Sequence, residues 1–492
     1  MTTIANKNIF RYRILLFVFL GLFFFWNLYS LSLSPIPWED EVYFASVADS
    51  FLHGEGFTQP VGLDQDVFHY GPIYFAMTGL SIWIGGLNPF SFRLVSLIFA
   101  FLSGFIIFKI LRGRNCGYLI SFLAVTAFLI DPLTIFCAHN GRMDIVCAFF
   151  ILCGILCYEK YANTRRARYL ISLSIFFLCS SLTSLRSVVV FVPIYCIIFV
   201  NLIKDRRWLP LLLIFFIPLL GHLLWIFCSY GSLSNFYDYF VGSNGQNDGN
   251  FISRFVGFSL NIESNHYPLL VAFIFSIVYS IKKKFFGQVC HYFVTILIFY
   301  LTVHSTAECY SIMIFPFYYI VIADCLSRIK KCNEKKVIFL CSWMLASIIL
   351  IINLGSFGVK LLMIESSKQY RDAKLVTSWV KNNIPPHSRV LGTYQYYYAL
   401  KDNDCEFKVP EQLYEDEEKS LSYIYDYYRP VYLLVEKNIT SPLDMAIISS
   451  IKKEQIAEYS IEPSMSLIST LFKKIGLENK SSYEGTLYKI MY

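Results

Sequence analysis

Residues 14–31 read ILLFVFLGLFFFWNLYSL and run, across a short Ser/Pro link, into Pro35-Ile36-Pro37-Trp38-Glu39-Asp40-Glu41-Val42-Tyr43. The first part carries no charge and follows Lys7, Arg11 and Arg13. About 20 apolar residues cross a bilayer as a helix. The run is longer than a signal-peptide core, and no A-x-A-like cleavage site follows it. It reads as a retained transmembrane helix that delivers three carboxylates to the membrane surface.

The rest of the chain repeats that pattern. Its 492 residues are 56% hydrophobic and 16% charged, against about 25% charged in an ordinary soluble domain, so a soluble protein is excluded. The ruler of residues per bilayer places about eleven spans. After the first they fall near 91–111, 117–136, 145–160, 168–184, 187–203, 209–229, 267–281, 289–304, 309–327 and 337–355. Alternate connections carry the basic clusters: Arg112 and Arg114, Lys160 to Arg168, Lys204 to Arg207, Lys282 to Lys284, and Arg328 to Lys336. By the positive-inside rule these loops and the N-terminus are cytoplasmic. An odd number of spans then puts the C-terminal region outside the cell or inner membrane. The net charge of +7 is distributed as a topology signal, with no basic stripe for nucleic acid. The 14 cysteines lie mostly in apolar runs, where a thiol acts as a small hydrophobe. No paired CxxC zinc spacing occurs.

Two external segments are long enough to hold structure, residues 34–90 and those after 357. Residues 1–357 are expected to form the membrane domain and 358–492 an extracytoplasmic α/β domain. In the latter, Tyr370 to Asn382 and Glu417 to Tyr427 look helical, and Ser388 to Tyr394 and Val431 to Val435 extended. Pro385-Pro386 separates the first helix from the first strand. The stretch from Gly231 to His266 is rich in Asn, Gly and Ser and is expected to be a flexible loop.

Adjacent carboxylates near a low-dielectric surface raise one another's pKa unless a cation compensates, which suits a group that must accept a proton. The bare triplet also fits a solvated turn. Further along come Phe68-His69-Tyr70-Gly71-Pro72, an amphipathic stretch to Gly86 suited to lie in the interface, and Phe92-Arg93-Leu94, where Arg93 fits a snorkelling side chain as well as a ligand. His139-Asn140-Gly141-Arg142-Met143-Asp144 enters the fourth span. Arg142 suits a phosphate ligand or an interfacial anchor. Residues two apart do not share a helix face, so a direct bridge to Asp144 is not expected. Arg186, in Leu182-Thr183-Ser184-Leu185-Arg186, has the planar fork that holds phosphate or snorkels at a helix end. His304-Ser305-Thr306-Ala307-Glu308-Cys309-Tyr310 makes another polar outer turn. Tyr394, Tyr396, Tyr397 and Tyr398 fit either sugar stacking or core packing.

The order Trp38-x-Asp40-Glu41-x-Tyr43, the Gly71-Pro72 turn, Gly85 and Arg93 resembles the dolichyl-phosphate-mannose protein mannosyltransferase superfamily, whose bacterial relatives include the aminoarabinose transferases of lipid A. The resemblance implies the GT-C glycosyltransferase fold and a polyprenyl-phosphate-linked sugar donor. It implies that Asp40 is the catalytic base and that Glu41 is the second acidic position; Glu39 has no counterpart in the pattern. Relatives acting on lipid A often carry Lys before the Pro-Pro turn and in the turn near Glu308, and this chain has neither. On this reading Asp40 deprotonates an acceptor on a glycan, lipid or protein while that atom attacks the anomeric carbon, with inversion. His69, Tyr70, Arg93, Arg142, Asp144, Arg186, His304, Glu308 and Tyr310 are the candidates for holding donor and phosphate. No nucleotide-binding loop is present. Magnesium or manganese at Asp40 and Glu41 is compatible with the residue types. The competing class is a transporter or flippase of lipid-linked glycans, which would place ionisable groups nearer the bilayer midplane.

Overall fold

Each apolar run expected to cross the membrane is helical in the computed structural model, which describes residues 2–67, 70–244, 266–303, 308–332, 336–437, 441–461, 470, 474 and 482–492. The N-terminal helix α1 is Thr2–Ser30, and α2 (Glu39–Leu52), α3 (Pro72–Gly85) and α4 (Pro89–Gly113) follow. Then come α5 (Tyr118–Leu129), α6 (Pro132–His139), α7 (Met143–Thr164), α8 (Ala167–Ser181), α9 (Val188–Lys204) and α10 (Trp208–Tyr230). Later apolar helices are Tyr267–Lys282, Cys290–Thr302, Phe315–Lys331 and Lys336–Ser366.

Among the described residues, five helices are long and apolar enough to cross a membrane unaided: Pro89–Gly113, Met143–Thr164, Leu185–Lys204, Trp208–Tyr230 and Lys336–Ser366. The 117–136 run makes a sixth as the pair α5 and α6, bent by 55°. The bend falls at Asp131-Pro132, where proline cannot donate to the helix ladder and the Asp131 carboxylate caps α6 by accepting from Leu133 N at 2.9 Å. The remaining apolar helices are shorter. Exposed apolar side chains on α10, such as Leu209, Leu212, Phe216 and Leu224, form the surface a bilayer covers.

Two expectations change. The last span is expected at 337–355, but its helix runs on to Ser366, because residues 356–366 are mostly apolar and hold no proline to end it. The loop expected from Gly231 includes a helix, Leu233–Asn244. Ser232 caps it by accepting from Asn235 N at 3.1 Å, and Leu233, Phe236 and Tyr237 repeat at helical spacing. Residues 245–265 of the same stretch lie outside the described residues.

Beyond Ser366 a helix, Ala373–Asn383, capped by Asp372, leads into a five-stranded sheet. Strands β1 (Thr58–Gln59) and β2 (Gln65–Asp66) belong to the first external loop. The sheet itself contains β3 (Arg389–Gly392), β4 (Glu406–Lys408), β5 (Tyr432–Glu436), β6 (Lys453–Tyr459) and β7 (Gly485–Ile490), in the order β4-β3-β5-β7-β6. β3 pairs parallel with β4 and β5, and β7 pairs antiparallel with β5 and β6.

This sheet is fastened to the first external loop. Val409 N donates to Val61 O at 2.9 Å, and Lys408 Nζ to Gly62 O at 2.6 Å and Asp64 Oδ2 at 2.9 Å. Gln59 Nε2 donates to Gln412 Oε1 at 2.8 Å. The C-terminal domain thus rests on the segment that carries Asp40.

Candidate active site

Successive residues of an α-helix point about 100° apart. Glu39, Asp40 and Glu41 form the first turn of α2, where the helix dipole favours negative charge. They therefore face three different neighbours.

Glu41 faces inward. Arg93 Nε and Nη2 donate to its two oxygens at 2.9 and 2.7 Å, and both side chains are 0% exposed. Arg93 Nη1 donates to Leu31 O at 2.7 Å, and Tyr398 OH donates to Glu41 Oε1 at 3.1 Å. This buried fork joins the end of the first span, α2, α4 and the C-terminal domain. Glu41 and Arg93, both candidate site residues, bond each other here, away from solvent.

Asp40 faces Arg142. Its side chain is 41% exposed while that of Arg142 is 2% exposed, and Arg142 Nη1 bonds Asp40 Oδ2. Arg142 Nε also donates to Asp144 Oδ2 at 2.9 Å. That bridge was not expected from residues two apart in a helix. It forms because Arg142 is the N-cap of α7 with extended backbone, φ −85° and ψ 133°, so its side chain folds back over the first turn. Trp38, Phe44 and Tyr310 surround the guanidinium, their ring centres 5.5 to 5.9 Å from Cζ. A cation held this way keeps its orientation and its charge.

Arg186, in the short turn Leu185–Ser187, stacks on the Tyr310 ring at 4.0 Å. Among the described residues it forms no ion pair. Tyr70 lies against Phe44 and Tyr43, and burial, the largest effect, holds its phenol protonated well above the usual tyrosine range. Glycine sets two of these approaches. A Cβ on Gly71 would sit 1.8 Å from Leu182 O, so the Gly71-Pro72 turn packs directly on the Arg186 turn. Gly141 has φ +58°, and a Cβ there would meet Phe92 at 2.3 Å, which fixes the entry of Arg142. The structure thus brings together Asp40, Arg142, Asp144, Arg186, Tyr70 and Tyr310. His69 and His304 lie outside the described residues. Glu308 begins the short helical segment Glu308–Met313, and its side chain is not described.

The four tyrosines of residues 394–398 pack; Tyr396 and Tyr397 are 0% exposed. Sequence reasoning missed the Asp131 cluster, in which Tyr319 OH donates to Asp131 Oδ2 at 2.6 Å and His266 Nε2 lies 3.3 Å from Oδ1. Only the Asp-Pro pair signalled it. Asp40 and Glu41 turn to different arginines and do not converge on one point. Among the described residues, no group of three or more His, Cys, Asp or Glu side chains is arranged to hold a metal ion.

Glu39 faces the C-terminal domain, where Glu411, Glu436 and Asp444 gather. Burial first, then the Glu411 charge, raises Glu436 to about 7 and Asp444 to about 7. Glu39 is raised by burial, then by Glu411 and Asp40. Carboxyls whose folded pKa exceeds the unfolded value of about 4 stabilise the fold below that value and lose the effect as pH rises through about 7. Hydrogen exchange at Val409 to Leu413, corrected for intrinsic rate, is expected to be slower at about pH 5 than at about pH 8. Equal protection at both would contradict the assignment.

No protein-family model matches the chain, and no curated protein matches it in sequence. Solved structures do match. ArnT from Cupriavidus metallidurans in the apo state superposes with a TM-score of 0.65 at 12% identity, covering 98% of both chains. The same protein bound to undecaprenyl phosphate gives 0.63 at 11% identity, over 96% of this chain and 97% of that one.

The chain has the GT-C fold.

Arabinofuranosyltransferase AftD from Mycobacteria shares it, with a TM-score of 0.56 at 12% identity over 98% of this chain and 40% of that one. The small C-terminal sheet belongs to the matched length, so in this GT-C chain membrane helices and sheet are superposed together.

Proposed function

We propose that this protein is a membrane glycosyltransferase that moves a sugar from a polyprenyl phosphate to an acceptor at the membrane face carrying Asp40. One arrangement carries the proposal: a half-exposed carboxylate, Asp40, bonded to the Arg142 guanidinium, with a second guanidinium, Arg186, on the same Tyr310 ring and next in sequence to Leu185, which lines an apolar cavity. That cavity has a volume of about 680 Å³ and is lined by Leu185, Val188, Phe191, Tyr195 and Phe215 among others. Leu185 adjoins Arg186, so a lipid tail in the cavity would bring its phosphate to the arginine. The solved ArnT complex with undecaprenyl phosphate supports that class of ligand.

In the reaction Asp40 accepts the proton of the acceptor nucleophile as that atom bonds the anomeric carbon. The bond from this carbon to the phosphate oxygen breaks on the opposite side, and the polyprenyl phosphate departs with the electron pair, so the configuration inverts. Arg142 orients Asp40 and, with Arg186, balances the charge that develops on the phosphate, as preorganised donors do. Glu41 and Arg93 act by holding the start of α2 in place.

Binding of undecaprenyl phosphate to the full chain in nanodiscs tests the donor site. Arg186→Gln is expected to weaken it on the order of ten-fold, the scale of one charge-assisted contact. Unchanged affinity would remove Arg186 from the site.

A further inference from the structure

Helix α7 begins at Arg142, beside Asp40, and runs from Met143 to Thr164. Its 22 residues cover about 33 Å at 1.5 Å per residue, enough to cross a hydrocarbon layer of about 30 Å. Arg165 therefore emerges at the membrane face opposite Asp40. Helix α9 starts next to Arg186 and ends at Lys204, so the link from α9 to α10 emerges at that face too. The two links lie side by side. Arg207 Nη1 donates to Arg165 O at 3.0 Å, and Arg165 Nη1 lies 3.8 Å from Asp205 Oδ2. Just past the ends of α7 and α9, Arg165 and Arg206 take left-handed turns with φ of 56° and 52°. Glycine usually fills such turns, and here each carries an exposed cation instead.

Together, residues 159–168 and 204–207 hold seven lysines and arginines against two acids, Glu159 and Asp205. Glu159 turns inward, accepting from Arg114 Nε at 2.7 Å and Tyr292 OH at 2.8 Å. Asp205 faces Arg165. Among the described residues, the side chains of Arg166, Lys204 and Arg206 form no ion pair or hydrogen bond, and all three are exposed. Arg168 and Lys160 share the Tyr169 ring, at 4.9 and 5.7 Å from its centre. Like charges crowded in this way repel one another, and an anionic surface offsets that cost. The apolar rim below them identifies the surface. Trp208, Leu209 and Leu212, directly after Arg207, are exposed, as are Ile203 on α9 and Ile171 and Ile175 on α8. Exposed apolar side chains on spans face lipid, and tryptophan favours interfacial depth. The cations thus stand at headgroup level.

We propose that the joined α7–α8 and α9–α10 links bind anionic phospholipid headgroups in the leaflet opposite Asp40, with Arg166, Lys204 and Arg206 holding the phosphates and Trp208 and Leu209 set among the first acyl carbons. A guanidinium fork fits phosphate oxygens in pairs. Basic clusters of about four to eight residues at the edge of a span attract acidic lipids, each Lys or Arg adding about five-fold. The site lies across the membrane from Asp40 and does not depend on the proposed transfer reaction. A lipid bound there holds the far ends of α7 and α9, whose near ends present Arg142 and Arg186.

The test is native mass spectrometry of the full chain in neutral detergent, titrated with phosphatidylglycerol and, in parallel, with phosphatidylcholine. The wild type is expected to prefer phosphatidylglycerol, and Arg166→Gln/Arg206→Gln to weaken its binding on the order of thirty-fold. Arg166→Lys/Arg206→Lys keeps the charge and is expected to keep most of the affinity. Removing two charges from another basic link, in Lys282→Gln/Lys284→Gln, is expected to leave binding unchanged. Asp205→Asn removes one acid and is expected to tighten binding about five-fold, which reads the same site should the Gln variant not fold. Wild-type affinity in the folded Arg166→Gln/Arg206→Gln protein, an equal loss in the Lys282→Gln/Lys284→Gln protein, or no tightening in Asp205→Asn would overturn the site. Displacement of the lipid by inorganic phosphate alone would overturn its assignment to a lipid.

Discussion

Asp40→Asn is expected to lower kcat for sugar transfer by about 10²- to 10⁴-fold, the usual contribution of a positioned general base, with donor affinity and folding intact. The reasons lie in the environment of this side chain. Asp40 is the carboxylate of the α2 turn that is both open, at 41% exposure, and hydrogen-bonded to the Arg142 fork. Asparagine keeps the size and one oxygen for Arg142, and Arg142 keeps its second carboxylate at Asp144, so no buried charge is stranded. What disappears is the ability to take a proton. Single-turnover kinetics in proteoliposomes, with donor binding measured in parallel, checks this. An undiminished kcat would remove Asp40 from the mechanism.

Glu41→Ala is expected to act on stability. It removes both oxygens that hold Arg93, in a pair with 0% exposure on either side. An uncompensated buried charge costs about 3–5 kcal/mol. The Tyr398 hydroxyl loses its acceptor as well, which loosens the C-terminal domain from α2. Replacing both partners with apolar residues, Glu41→Leu with Arg93→Met, should recover most of that loss, because a buried ion pair and a well-packed apolar pair are close in free energy. Thermal unfolding of the three proteins in one detergent decides it. A double variant less stable than Glu41→Ala would contradict this account of the pair.

Much of the fold was legible in hydropathy. Each apolar run is a helix or a bent pair of helices, and the strands around Val390 and Leu433 stand where apolar residues cluster between turn signals. Strands β6 and β7 were not anticipated: Lys453–Tyr459 reads KEQIAEY and shows no apolar/polar alternation to mark a strand. In the site, Asp40 was legible as an acid that the first span delivers to the membrane surface; the helix it begins was not. The division of labour among three consecutive acids was not. It depends on Arg93, 52 residues from Glu41, and Arg142, 102 residues from Asp40, and no local pattern reports such contacts. The Arg142 to Asp144 bridge escapes the spacing that holds inside a helix, because Arg142 is the N-cap and its backbone is extended.

The most direct test of the central claim is transfer by purified wild-type protein in proteoliposomes, offered a panel of polyprenyl-phosphate sugars and membrane acceptors. Turnover with at least one donor, giving a product of inverted anomeric configuration, is the predicted result. A product of retained configuration, or no transfer from any donor by a protein that binds undecaprenyl phosphate, would contradict it.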